Sequence, residues 1–403
     1  MGKINLKAGF GYAFIHFSME VLCFFFLYRV FNGGSYWWSI ALVYDTIAFA
    51  GQVPAGAFCE KFPRFRPGIC GALMLTLGAA IGLIAAGGSK IGAIAAGASN
   101  IGDVAAAGRI ADIATGAAGT DGIGTTATVA AVIGFVILTV GNALLHISGA
   151  LITLRASEGR LSEPGIFVGG GAFGVITGRL LGSSDGPVWI PFVLMAAAFI
   201  LIIAIDRVML DPGTDTEGFA SFGEIPCEHD VASSRPLEII IIVLACVVAV
   251  RSYISNGIPM GWKKTVFETV MLYVAMGAGK MAGGVLADLF GTRKVGVISC
   301  ILAVPFLLLG NDLMWVSLIG IALFSMTMAI ALGGIVSVLR NNPGTAFGIT
   351  TLALFLGSLP VFFFPMPKGT VMNVILAALS LLSAAGIFMT TNDRTHNKKA
   401  DIR

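Results

Sequence analysis

A polar stripe lies within the first apolar stretch of the chain, where Tyr12, His16 and Glu20 follow one another at four-residue intervals. This spacing places the three side chains on one face of a helix. Imidazole titrates near neutral pH, so a carboxylate one helical turn away can exchange a proton with it. We therefore take His16 and Glu20 as candidate proton-coupling residues, with Asp45 in the next apolar stretch as a further candidate. A buried pair with a structural role is the alternative.

Two later apolar stretches also carry polar side chains. Asn142 and His146 are again four residues apart and share a helical face near several glycines, which is typical of residues that line a cavity. Arg251 stays charged at any physiological pH and so needs an acidic partner or an anionic ligand. We expect Glu20 or Asp45 to be the acidic partner.

The composition places these polar residues in a lipid environment. The chain has 403 residues, of which 56% are hydrophobic and 12% are charged, whereas soluble proteins carry about 25% charged residues. The net charge of +3 gives no reason to expect a nucleic-acid partner. The six cysteines have neither CxxC nor metal-ligand spacing, so we predict no metal and no cofactor.

Apolar runs of about 20 residues predict membrane-spanning helices. We place twelve of them, at 8–30, 36–58, 68–88, 128–152, 164–182, 187–206, 237–257, 265–287, 295–311, 313–338, 344–363 and 370–390. The polar segment 207–235 is predicted to be a cytoplasmic linker between an N-terminal six-helix bundle (1–206) and a C-terminal one (236–391), followed by a polar tail (392–403). We interpret the Ala/Gly-rich segment 87–128 as an outer loop between spans three and four; the alternatives are a small amphipathic cap over the outer mouth and a segment that partly enters the membrane.

The distribution of basic residues predicts the orientation of the chain. With the N-terminus in the cytoplasm, every inner loop contains at least one Lys or Arg, as the positive-inside rule requires. We expect both termini to be cytoplasmic and the protein to lie in a bacterial inner membrane. Lys280, two helical turns before Asp288, should extend to the membrane surface. Glycines four apart, including Gly170, Gly174 and Gly178, predict close helix contacts at the seam between the two halves.

One short pattern occurs twice, about half a chain apart. Each copy has a small residue, an acid four positions later and then a basic turn, which indicates two related halves. The pattern positions are Gly56, Glu60 and Arg64 in the first copy and Gly284, Asp288, Gly291 and Arg293 in the second.

These two copies resemble the loop motif of the major facilitator superfamily. The second copy matches at all four positions, while the first has Glu60 in place of the usual Asp and Pro63 in place of the turn glycine. The resemblance implies an all-α membrane protein with twelve transmembrane helices in two pseudo-symmetric six-helix bundles. It also implies that the motif is an inner gate, whose acid holds basic residues or a helix N-terminus when the cytoplasmic side is closed.

Stretches 141–146 and 165–174 are similar, more weakly, to drug exporters of the fosmidomycin-resistance type. Arg179 follows Gly178 at a point where the antiporter motif usually has proline. By the resemblance, spans one, four, seven and ten line the substrate cavity, and methionines of span ten supply an adaptable wall. The predicted cavity residues are Tyr12, Asn142, His146, Arg251, Tyr253, Asn256 and Met326.

The sequence therefore predicts a monomeric secondary transporter that moves a small solute by alternating access and couples this movement to protons. An enzyme is not expected, because the chain has no HExxH, GxSxG or phosphate-loop motif. A drug/proton antiporter and an organic-anion importer are the alternatives for the direction and cargo. A membrane sensor or scaffold that transports nothing is the alternative of another class.

Overall fold

The computed structural model describes residues 7–32, 37–87, 122–209, 235–258, 260–364, 366–367 and 369–392. Regular structure in these residues is almost entirely helical, as the long apolar runs predict. Most of the predicted linker 207–235, of the segment 87–128 and of the tail 392–403 lies outside the described residues. The proposed domain boundaries therefore stay predictions.

The described residues contain twelve helical spans that are long and apolar enough to cross a bilayer, which confirms the predicted multi-pass membrane protein. In chain order, spans one to twelve are Ala8–Val30, Trp37–Lys61, Pro67–Ala85, Thr126–Ala156, Ser162–Ser183, Trp189–Arg207, Leu237–Gly257, Val266–Phe290, Thr292–Leu309, Met314–Val338, Pro343–Phe363 and Gly369–Thr390. Because the number of spans is even, both ends of the described chain lie on one side, which we call the terminal face.

Three spans depart from a simple uninterrupted helix of the expected length. The helix of span four runs Gly122–Ala156, so it begins inside the segment that we predicted to be an outer loop. Span two contains a π-helical turn, Thr46–Ala50, between two α-helical parts. Span ten consists of two helices, Met314–Ser325 and Thr327–Val338. Such irregular turns often lie at functional sites or hinges.

The glycine stripe of span five packs against span one, not at the seam between the halves. A Cβ at Gly170, Gly174 or Gly178 would lie 2.5, 2.3 and 2.4 Å from backbone oxygens of Ala13, Phe17 and Val21. Small residues at four-residue spacing permit this close backbone contact. The prediction that this stripe forms the seam is therefore wrong, because residues four apart face one neighbour only and that neighbour belongs to the same half.

Two pairs of spans form the seam on the terminal side. Span five meets span eight where a Cβ at Gly284 would lie 2.2 Å from the carbonyl oxygen of Leu161. Span two meets span eleven where a Cβ at Gly56 would lie 2.4 Å from the carbonyl carbon of Gly344. Spans five and eleven occupy equivalent places in the two halves, as do spans two and eight. The two contacts are therefore related by the pseudo-twofold symmetry of the fold.

Candidate functional site

Spans one and four bring two imidazoles to one buried carboxylate. Glu20 Oε1 lies 3.7 Å from Nε2 of His16 and 3.5 Å from Nε2 of His146. All three residues are at most 6% exposed. We call His16, Glu20 and His146 the acid–histidine cluster. His16 and Glu20 are close together, as their four-residue spacing predicts, whereas the position of His146 beside them depends on the packing of span four on span one.

Backbone carbonyls fix the orientation of both imidazoles. Nδ1 of His16 donates a hydrogen bond of 2.8 Å to the carbonyl oxygen of Phe167, and Nδ1 of His146 donates one of 3.1 Å to that of Asn142. A carbonyl oxygen only accepts hydrogen bonds, so each Nδ1 carries a hydrogen. The Nε2 atom of each ring therefore faces the carboxylate.

The Glu20 carboxylate also has neutral neighbours. The side-chain amide of Asn142 donates to Glu20 Oε1 at 3.4 Å, and the hydroxyl of Tyr44 donates to Glu20 Oε2 at 3.5 Å. The same amide reaches the Tyr44 hydroxyl at 3.2 Å and the Cys23 sulfur at 3.3 Å. Tyr44 and Cys23 were not predicted as site residues from the sequence. Tyr44 precedes the candidate Asp45 directly, which was the available signal.

A glycine makes room for the cluster. A Cβ at Gly171 of span five would lie 2.2 Å from Nε2 of His16, so only glycine leaves space for this ring. Asp45 is half-buried at the end of the first α-helical part of span two, immediately before the π-helical turn. It interacts electrostatically with Glu20. The predicted proton-coupling residues are thus neighbours, while their role stays a prediction.

The prediction that Glu20 or Asp45 is the acidic partner of Arg251 is wrong. Arg251 is 4% exposed, its Nε and Nη2 atoms are buried, and neither has a hydrogen-bond partner among the described residues. Among the residues that the structure describes, Arg251 makes no ion pair with Glu20 or Asp45. The physical reason is that the Glu20 carboxylate is already surrounded by residues of the N-terminal half, whereas Arg251 belongs to the C-terminal half.

Lys280 is half-buried and interacts with charged residues of both halves, which does not support the expected extension to the membrane surface. It interacts electrostatically with Arg251, on the neighbouring span seven, and with Glu20 and His146 in the opposite half. Sequence position alone suggested a residue near a helix end. Span eight is long enough, at 25 residues, for Lys280 to lie ten residues before its end at Phe290.

The other predicted cavity residues make contacts elsewhere. The Tyr12 hydroxyl lies 3.3 Å from Ser148 Oγ, while its ring packs edge-on against Phe167. Tyr253 is half-buried against the apolar core of the C-terminal half, and the exposed Asn256 donates to the Ser252 carbonyl. Met326 joins the two helices of span ten. None of these contacts reaches the acid–histidine cluster, so cavity roles for these four residues stay predictions.

The two motif acids each bind the N-terminal end of a helix in the opposite half. Glu60 Oε1 accepts a 3.0 Å bond from the backbone N–H of Thr345, and Oε2 accepts bonds from the Thr345 hydroxyl at 2.6 Å and the Asn342 amide at 3.2 Å. Asp288 accepts from the backbone N–H groups of Leu161 and Ser162, both at 2.8 Å, and from the Ser162 hydroxyl. A carboxylate is favourable at a helix N-terminus because the free N–H groups there are positively polarised.

The remaining motif residues shape these loops. Gly291 ends span eight with φ of 100°, a conformation that side chains rarely adopt. Arg293 donates to the Phe388 carbonyl at 2.6 Å and lies 4.4 Å from the centre of that ring, so it holds span twelve. Arg64 is exposed.

Comparison with solved structures places the fold. The chain matches a crystal structure of the E. coli fucose:proton symporter FucP with 14% identity and a TM-score of 0.55, over 95% of this chain and 96% of that one. It matches a bacterial homologue of the iron transporter ferroportin, solved in an outward-facing state with soaked iron, with 12% identity and a TM-score of 0.60, over 96% and 98% of the chains. A second crystal structure of FucP, a major facilitator superfamily transporter in the outward conformation, matches with 14% identity and a TM-score of 0.54 over 95% of this chain and 96% of that one.

This chain has the major facilitator superfamily fold. No protein-family model matches the sequence, and no curated protein matches it. The major facilitator fold consists of two six-helix halves, and both loop motifs lie where that fold joins spans two and three and spans eight and nine. The predicted fold class is therefore confirmed.

Proposed function

We propose that the protein is a secondary transporter that moves a small solute across a membrane by alternating access. The observation that carries this proposal is the set of ionisable side chains that both halves contribute within their spans: buried Glu20 with its two histidines from one half, and buried Arg251 with half-buried Lys280 from the other. Ionisable groups within membrane spans are unfavourable in lipid and generally serve transport or proton transfer. Two halves around a central site are typical of alternating access.

The contacts of Glu60 and Asp288 support a gate on the terminal face. In this proposal the present conformation is closed there, because each half binds a helix N-terminus of the other. The basic loops favour a cytoplasmic location for this face and an inner-membrane location for the protein. Opening requires both carboxylates to release their helices.

Proton coupling is the finer part of the proposal. Glu20 and His16 are the coupling residues, and Asp45 modulates them through its electrostatic interaction with Glu20. Proton coupling requires a group that exchanges protons while the site faces each side in turn. The efflux assignment that the fosmidomycin-resistance resemblance suggests stays a prediction.

The test begins with a thermal-shift screen of the purified protein against metabolites and drugs, because a ligand stabilises the folded state by an amount that grows with the logarithm of its excess over Kd. Stabilising compounds are then assayed for uptake into proteoliposomes with and without an imposed pH gradient. Glu20→Gln should abolish gradient-driven uptake, while the exposed Glu238→Gln, the same chemical change at the start of span seven, should not. Wild-type uptake by the Glu20→Gln protein would remove Glu20 from the mechanism, and no uptake of any stabilising compound by the wild type would favour a sensor or scaffold.

A specific observation favours an organic anion as the solute. The buried guanidinium of Arg251 has no acidic partner in the described residues, and Lys280 adds a second positive charge beside it. A carboxylate or phosphate would satisfy both groups. If this candidate is right, anions stabilise the wild type in the same screen, and Arg251→Gln removes that stabilisation.

A further inference from the structure

We propose that His16, Glu20 and His146 form a binding site for a divalent transition-metal ion, and that this ion is a cargo of the protein. The cargo role rests on the transport function proposed above, whereas the binding site does not. We predicted no metal from the sequence, and spacing along the chain could not reveal this cluster because one of its three ligands comes from a different span.

The donor atoms are arranged as ligands of one ion. One nitrogen from each histidine and one carboxylate oxygen lie within 4.8 Å of one another, and the two nitrogen–oxygen distances are 3.5 and 3.7 Å. Ligands of a tetrahedral ion lie about 3.4 Å apart, since each bond is about 2.1 Å long. Small side-chain rotations close the remaining difference. Both distances exceed the length of about 2.7–3.2 Å that is typical of an N–H···O hydrogen bond.

The surroundings hold the donors in the required state. Both Nδ1 atoms donate to backbone carbonyls, which leaves Nε2 as the atom that can bind a metal. Histidine ligands in metalloproteins are typically oriented by such a bond from the second ring nitrogen. The Asn142 amide donates to Glu20 Oε1 and thus positions the carboxylate. Asn142 is a positioning residue here and does not itself bind the ion.

The donor set selects the class of ion. Two imidazole nitrogens and one carboxylate oxygen suit Mn²⁺, Fe²⁺, Co²⁺ and Zn²⁺, whereas Mg²⁺ and Ca²⁺ prefer oxygen ligands alone. Three protein ligands leave positions open for water or a second solute. An ion bound in this way can be released, unlike one enclosed by four protein ligands.

The cluster lies beside the opposite half, where a cargo site is expected. The His16 ring packs 4.9 Å from Phe167, which in turn lies 6.0 Å from Phe347 of span eleven. Lys280 of span eight interacts electrostatically with Glu20 and His146. This positive charge opposes the binding of a cation, so its removal should strengthen metal binding. That expectation has the opposite sign to the effect of general damage to the fold.

The experiment measures binding of Co²⁺, Mn²⁺ and Zn²⁺ to the tag-free, full-length protein in detergent, by titration calorimetry and by the visible spectrum of Co²⁺. We expect one ion per chain, and a Kd weakened by roughly tenfold or more in His16→Gln, Glu20→Gln and His146→Gln. Replacement of the other two histidines of the chain, His229 and His396, by Ala is the matched control and should leave Kd unchanged. Lys280→Gln should tighten Kd severalfold, because a nearby positive charge is removed.

Two results would overturn the site: a wild type that binds none of the three ions, or a Kd that the cluster variants leave unaltered. Melting curves and monodispersity identify variants that fail to fold, and the expected gain in affinity for Lys280→Gln keeps the proposal testable if a cluster variant does fail. Uptake of Mn²⁺ into proteoliposomes then tests the cargo role. Binding without uptake would overturn that role alone, and uptake of other solutes without metal binding would overturn the site while the transport proposal stands.

Discussion

At the scale of single residues, the centre of this protein separates opposite charges between its two halves. Glu20 is surrounded by histidine, asparagine and tyrosine side chains of the N-terminal half. Arg251 and Lys280 belong to the C-terminal half. Because the acid is already satisfied, the arginine keeps its hydrogen-bonding capacity for a ligand. A charge left without a partner in a buried position lowers stability and is expected where function requires it.

The first prediction concerns that uncompensated charge. Arg251→Gln should raise the melting temperature of the ligand-free protein in detergent, because it removes a buried charge without a partner. The expected gain in the free energy of unfolding is about 1 kcal/mol or more. The exposed Arg235→Gln is the control and should change the melting temperature little. A lowered melting temperature for Arg251→Gln would mean that the guanidinium has a stabilising partner after all.

The second prediction concerns the space beside His16. Gly171→Ala should displace the imidazole, since the new Cβ would lie 2.2 Å from Nε2, and should thereby lower both solute uptake and metal affinity. Gly386→Ala, whose Cβ would meet only side-chain methyl groups, of Val243 at 3.0 Å and of Val247 at 3.4 Å, is the matched control. Equal uptake by the two variants would show that the ring position is unimportant.

At the scale of helices, the closed terminal face depends on two capped N-termini. The acid at the end of span two caps span eleven, and the acid at the end of span eight caps span five. The two interactions use the same chemistry at positions related by the repeat. Removing a helix cap generally costs about 1 kcal/mol, and a difference of about 1.4 kcal/mol changes a two-state ratio tenfold.

The third prediction follows from these caps. Asp288→Asn and Glu60→Gln should each shift the protein away from the closed conformation, and together they should do so by about tenfold or more. A cysteine in place of the buried Ala346, in a background without native cysteines, should then react faster with a membrane-impermeant maleimide. Glu238→Gln, at an exposed acid on the same face, serves as the control. Unchanged labelling in the double variant would contradict the gate.

At the scale of the whole molecule, alternating access requires that the two faces open in turn. The terminal face is joined by the contact of Glu60 with Thr345. On the opposite face the ring of Trp38 lies 5.9 Å from that of Phe362, which also joins the two halves. A transporter must break each of these contacts at some point in its cycle, whereas a scaffold need not break either.

The fourth prediction tests whether both contacts must break during transport. Cysteine pairs that replace Glu60 and Thr345, or Trp38 and Phe362, should stop proteoliposome uptake when cross-linked, because each fixes one face in the closed state. Reduction, or omission of the cross-linker, should restore uptake to the level of the same uncross-linked variant. Undiminished uptake with either face cross-linked would exclude a rocking motion of the two halves.

Hydrophobicity alone determined the number and approximate position of the twelve spans, because a bilayer requires about 20 apolar residues for each crossing. The repeated motif indicated two related halves, and i,i+4 spacing brought His16 and Glu20 together on one face. These are local properties of the chain, which a helix converts directly into geometry. The extension of span four from Gly122 was not predicted, because an Ala-rich and Thr-rich stretch suits both a loop and a helix.

Only the tertiary structure decided which faces meet. It placed His146 and Tyr44 beside Glu20, left Arg251 without the expected acid, brought Lys280 within electrostatic range of Arg251 and Glu20, and turned the glycine stripe of span five toward span one. Helix–helix contacts depend on the rotation of each helix about its axis and on its neighbours, which small residues and shape complementarity fix together. Spacing along one helix fixes which residues share a face and leaves the partner of that face undetermined, so the metal-binding geometry that we propose exists only in the folded protein.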